Sequence, residues 1–119
     1  MDQRVHARVI LDRSCAVGKL VYGVGSLEIN IEDRILAHLQ IVIVAKLRRD
    51  EGFVMSWKDD PEVGDGRSSI WLHRAVPLYF KFDSPDQPDI NRQWVEILTI
   101  SANSAAGLRL VEEPSDTTR

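Results

Sequence analysis

The chain has 119 residues, 44% of them hydrophobic and 28% charged, with a formal net charge of −3. That length suits one domain, and that apolar fraction excludes disorder over most of it. Eighteen acids against fifteen Lys and Arg lack the strongly basic balance of a dedicated nucleic-acid binder. The single cysteine, Cys15, excludes an internal disulfide framework and a Cys-rich zinc site. The longest apolar run, Ile41 to Ala45, is five residues, whereas a membrane-spanning helix needs about 20.

Residues 1–16 differ in character from the rest of the chain. Arg4, Arg8 and Arg13 outnumber Asp2 and Asp12, and no apolar core of a secretory signal is present. Val9-Ile10-Leu11 could make a short edge strand, but no turn signal or partner pattern lies nearby. The segment therefore reads as a disordered or non-native extension. Lacking an export signal, the chain is assigned by default to the cytoplasm, where a lone thiol stays reduced.

Residues 17–111 read as a single domain. Leu20-Val21-Tyr22 and Leu27 to Ile31 flank Gly23-Val24-Gly25-Ser26, which predicts two strands and a Gly-rich turn. Asp33 offers a helix N-cap. Leu36, Leu39, Ile43 and Leu47 follow at spacings of three and four, widened by Ile35 and Val42. The apolar middle of this helix predicts burial on most sides, and Lys46, Arg48 and Arg49 suit its carbonyl end. Three alternating segments come next, with Phe53, Met55 and Trp57, then Ile70 and Leu72, then Leu78, Phe80 and Phe82 on their inner faces. Pro77 stands at a strand start. Asn91 caps a second helix to about Ala102 that buries Trp94, Val95 and Leu98. Leu108 to Val111 reads as a last strand and residues 112–119 as a flexible tail. The expected class is α+β, a mainly antiparallel sheet with two helices on one face in the order β-β-α-β-β-β-α-β.

Asp33-Arg34-Ile35-Leu36-Ala37-His38-Leu39, Ala45-Lys46-Leu47-Arg48-Arg49, Gly66-Arg67-Ser68-Ser69-Ile70-Trp71-Leu72-His73 and Ser101-Ala102-Asn103 resemble a family of short actinobacterial proteins. The resemblance spans roughly residues 18–114. Those proteins are a domain of unknown function and often carry the label "ATP-dependent DNA ligase". They tend to have proline where this chain has Arg74, and to begin where it has Val17. The native start is therefore expected at Val17. The label implies DNA-processing chemistry or an accessory role beside it. A ligase nucleophile sits in Lys-x-Asp-Gly, however, and neither Lys46-Leu47-Arg48-Arg49 nor Lys58-Asp59-Asp60-Pro61 matches.

Other chemical constellations are weak. Asp59, Asp60, Glu62 and Asp65 lack the spacing of a calcium loop and read as a solvated polar loop. Gly23-Val24-Gly25 lacks the third glycine of a phosphate-binding turn. His38 reads as a surface or capping histidine at the helix edge, His6 sits in the extension, and Cys15 has no evident His partner. No catalytic residue, metal ligand or cofactor is assigned.

One surface remains. If the inner faces above meet the helices, alternation turns Ser56 and Lys58, Trp71 and His73, and Tyr79 and Lys81 outward on three consecutive strands, and Lys19 could join them. Lys58, Arg67, Trp71, His73, Tyr79 and Lys81 are thus the candidate binding residues of an open aromatic-basic face. Aromatics beside cations suit stacking of single-stranded nucleic acid. They also suit a small ligand, a protein partner or a homodimer, or simple cross-strand pairing. A binding module is the expectation and an enzyme the alternative. No membrane partner is expected.

Overall fold

The computed structural model describes residues 5–8, as backbone alone, together with 16–24, 27–59, 64 and 66–114. Expectations that fall on Val9 to Leu11, Cys15, the side chain of His6, and Asp60, Glu62 and Asp65 lie outside the described residues. The elements run β1 (Val5–Arg8), β2 (Val17–Tyr22), β3 (Leu27–Glu32), α1 (Asp33–Arg48), β4 (Phe53–Lys58), β5 (Arg67–Leu72), β6 (Leu78–Lys81), α2 (Arg92–Ala102) and β7 (Leu108–Arg109). The α+β class and the mostly antiparallel pairing agree with the sequence reading. From β2 onward the element order does too.

The strands divide between two sheets instead of forming one. The first has the order β1-β3-β2-β6 and the second β5-β4-β7. Pairing is antiparallel except for β1 beside β3 and β7 beside β4. Alternation fixes which face of a strand is buried but not which strand lies next to it. The link from His73 to Pro77 is not a two-residue hairpin, so β6 is free to leave β5. It pairs with β2 instead, and Gly23 N–H donates to the Pro77 carbonyl at 2.9 Å where that pairing ends. The last strand is also shorter than expected, ending at Arg109.

One core joins both sheets and both helices. Leu20, Ile29 and Ile31 of the first sheet share it with Leu36, Leu39, Val42 and Ile43 of α1. Met55, Trp57 and Leu72 of the second sheet and Trp94 and Leu98 of α2 complete it. Helix α1 is buried on most sides, by Leu36, Leu39 and Ile43 and also by Ala37, His38, Val42 and Lys46, and Ile41 and Val44 lie on its exposed strip. An apolar run covers every azimuth of a helix, and here the sheet takes one side while Trp94 of α2 packs on His38 at another. Glu32 rather than Asp33 occupies the N-cap position of α1. The buried Asp33 carboxylate instead accepts the backbone N–H of Asp83 at 3.0 Å and of Ser84 at 2.9 Å, tying the 82–90 loop to the helix start. Asn91 does cap α2, accepting the Trp94 N–H at 3.3 Å.

At Gly107 the chain enters β7 with φ 86°, and a Cβ there would lie 2.5 Å from the Val54 carbonyl oxygen. Only glycine meets both demands. Gly107→Ala is therefore expected to cost at least the roughly 1–3 kcal/mol of a forced left-handed residue. The urea midpoint of unfolding reads this, and an unchanged midpoint would contradict the close approach.

Candidate functional site

The outer face of the second sheet is built by alternation on three strands. On β4, Phe53, Met55 and Trp57 point into the core, which turns Val54, Ser56 and Lys58 outward. On β5, Leu72 is buried and Ile70 half-buried, which turns Arg67, Ser69 and Trp71 outward. On β7, Leu108 is buried and Arg109 exposed. The register sets these residues in rows: Val54 opposite Trp71, Ser56 between Ser69 and Arg109, and Lys58 opposite Arg67. A shallow groove of about 450 Å³ lies over the middle row, reaching from Arg67 to Arg109.

Among the described residues, the charges on this face are all positive. Like charges directly opposite one another destabilise a strand pair, and Lys58 and Arg67 are such a pair. The first sheet contains a comparable pair, Lys19 opposite Lys81, but there Lys19 is bridged to Glu28 at 3.4 Å. No described carboxylate is ion-paired to Lys58, Arg67 or Arg109. The acid next to Lys58 in sequence, Asp59, accepts the Ser68 hydroxyl at 2.9 Å.

Trp71 stands at the far end of the face, 54% exposed. Its ring rests on the backbone of Gly52, where an added Cβ would come within 2.8 Å of it. The Trp71 carbonyl accepts the Tyr22 hydroxyl, so this point of β5 is fixed to the first sheet. The indole is thus held from beneath and from behind while its outer side is open.

The six residues expected to make one patch are not all brought together. Lys58, Arg67 and Trp71 share the outer face of the second sheet. Tyr79 (59% exposed) and Lys81 are on β6, in the first sheet, opposite Val21 and Lys19. No ladder joins β5 to β6, so the expected run of three adjacent strands does not exist. His73 lies just past β5, half-buried, with Nδ1 accepting the Ala75 N–H at 3.1 Å, and its ring stabilises the turn toward β6. Arg109 was not among the expected residues. Its position between Leu108 and Leu110 marks it as outward-facing, but only the pairing of β7 with β4 brings it to this face.

His38 is not at the surface. It is fully buried, its ring centroid 4.5 Å from that of Trp94. Asn91 N–H donates to Nε2 at 2.8 Å, so Nδ1 carries the proton and donates to the Arg34 carbonyl at 2.7 Å. Burial pushes the imidazole below its ordinary pKa, and the nearby Arg34 cation adds to that. Both nitrogens are thereby committed to structure and neither is available to a substrate. Beside it, Arg34 grips Glu113 by two bonds of 2.8 and 2.7 Å, and Asn91 donates to the same carboxylate at 2.8 Å. The Arg34 guanidinium, with help from Asn91, holds the Glu113 carboxyl down at about 2. Glu113 thus pins a stretch that reads from sequence as tail.

Among the described residues no group of His, Cys, Asp and Glu is arranged to hold a metal ion. No helix among them is long and apolar enough to cross a membrane. No curated protein and no solved structure matches the chain. The family model described as Domain of unknown function (DUF7882) matches residues 17–113, from the start of β2 to past β7, and the chain belongs to that family.

Proposed function

We propose that this protein is a small binding module that holds single-stranded nucleic acid on the outer face of β5-β4-β7. The observation that carries the reading is the cationic row of Lys58 and Arg67, without an ion-pair partner among the described residues, extended by Arg109 and ending at the exposed Trp71. In a chain of net charge −3, concentrating unpaired cations on one face costs stability, and a polyanion recovers it on binding. Serines between the cations keep the face low enough for a strand to lie across it. Trp71, braced on Gly52, offers a base a flat ring that needs no ordering on contact.

The resemblance to proteins labelled as DNA ligases is compatible with an accessory role beside such an enzyme, acting on the same strand. The ligase reaction itself has no support in this chain, which lacks the Lys-x-Asp-Gly nucleophile.

Trp71→Ala is expected to weaken binding of a fluorescent oligothymidylate by about 1–3 kcal/mol for the base it stacks. Fluorescence anisotropy measures this at fixed salt. Sedimentation of the same variant separates the rival reading. A shift from dimer to monomer, with no oligonucleotide binding by either form, would make the face a self-association surface and overturn the proposal.

A further inference from the structure

We infer that the groove between Arg67 and Arg109 is a seat for one phosphoryl group, with the hydroxyls of Ser56 and Ser69 as its floor. The inference rests on the reading of this face as a nucleic-acid surface and adds where on it a phosphate is held. β7 and β5 flank β4, so their backbones are about 10 Å apart, and Arg67 lies one pleat repeat, about 7 Å, along from the Ser69 row. Two arginines rooted on opposite sides can therefore converge over Ser56 from different directions. A guanidinium presents a planar fork that binds phosphate oxygens in pairs, which a lysine cannot do. Each serine hydroxyl supplies a further donor.

Three features favour an anion over other ligands. Among the described residues, the groove of about 450 Å³ is lined by serines, arginines, Val54 and Ala106 and by no acid. Neither guanidinium is ion-paired among the described residues. The third serine, Ser68, is already committed to Asp59, leaving Ser56 and Ser69 without a described side-chain partner. Trp71 is not part of the wall, because its ring leans back over Gly52. Phosphate seating and base stacking are thus separable contributions on one face. A phosphoryl group here can come from a nucleic-acid backbone or from a free phosphate ester, and the test distinguishes the two.

The full chain, labelled with ¹⁵N, is titrated with inorganic phosphate and with thymidine 5′-monophosphate, and in parallel with an oligothymidylate. The expected result is amide shift changes concentrated at Ser56, Ser69, Arg67 and Arg109. Arg67→Gln with Arg109→Gln should weaken both phosphate and oligonucleotide binding at least tenfold. Arg92→Gln, a loss of charge on the exposed side of α2, should leave both within twofold. The replaced side chains are exposed, and the dispersion of the amide spectrum verifies that each variant is folded. Absence of localised shifts, or an undiminished response in the double variant, overturns the seat. Oligonucleotide binding that ignores the double substitution overturns the seat and the cationic reading of the face together, whereas oligonucleotide binding weakened by it, with no localised shifts from phosphate or the monophosphate, overturns the seat and leaves the reading of the face intact. Phosphate and the monophosphate seated there without oligonucleotide binding support the seat, make a free phosphate ester its ligand, and remove the nucleic-acid reading.

Discussion

Leu39→Ala and Ile43→Ala should each lower unfolding stability by about 2–5 kcal/mol. The two side chains lie one turn apart on the buried stripe of α1, and both are fully excluded from solvent. Truncation removes the transfer free energy of three methyl-sized groups and leaves a cavity that a two-sheet core closes poorly. A small domain holds roughly 5–15 kcal/mol in total, so either change takes a large share. Ile41→Ala and Val44→Ala, on the exposed side of the same helix, should stay within about 0.5 kcal/mol of the parent. Chemical denaturation compares the four. Equal effects at all four positions would contradict the exposed strip of Ile41 and Val44.

Stability should also fall in two steps as pH is lowered. His38 is held neutral in the fold, with its pKa below the ordinary 6.5. Its contribution is complete above about 6.5, where the unfolded chain is neutral too, and is lost as pH falls through the folded value. Protonating it would set an N–H on Nε2 against the Asn91 N–H that now donates to it, so the bond that ties the capping residue of α2 to α1 is lost as well. Glu113 titrates lower down. Its carboxyl is held at about 2 against 4.5 for the free group, so its contribution is present above about 4.5 and fades toward 2. Denaturation midpoints across pH 7 to 2 measure both steps. Glu113→Gln should remove the lower step and leave the upper, whereas His38→Gln should remove the upper. An upper step that persists in His38→Gln would assign it to another group.

Much of the fold is legible in the sequence because burial writes itself as period. The alternation in 53–58, 67–72 and 78–82 gives the inner faces of β4, β5 and β6 correctly, and spacings of three and four give both helices. Asn91 declares its cap through its own chemistry. What period does not encode is partnership. Nothing in Leu78 to Lys81 says that β6 pairs with β2, and nothing in Leu108-Arg109 says that β7 runs parallel to β4. Those choices follow from how two sheets close over one core. The candidate face shows the same division. Lys58, Arg67 and Trp71 follow from alternation alone, but Arg109 joins them only through long-range pairing, and Tyr79 and Lys81 leave by the same route. Buried polar residues are equally illegible. Lys46 reads as a helix-end cation, yet it is buried, donating to Asn103 Oδ1 at 2.8 Å and paired with Glu51 at 3.1 Å. His38 is buried because Asn91, 53 residues away, supplies its second hydrogen bond.

The central claim, that the outer face of β5-β4-β7 binds single-stranded nucleic acid through its cations, is tested most directly by a salt series. Affinity for a fluorescent oligothymidylate is measured by anisotropy from low to moderate ionic strength, for the parent chain and for Lys58→Gln. Each phosphate neutralised contributes about 0.7 to the slope of log affinity against log salt for a single strand. Saturable binding that weakens with salt is expected, with a slope shallower by about 0.7 in the variant. No saturable binding at low salt, or a slope that Lys58→Gln leaves unchanged, would contradict the claim.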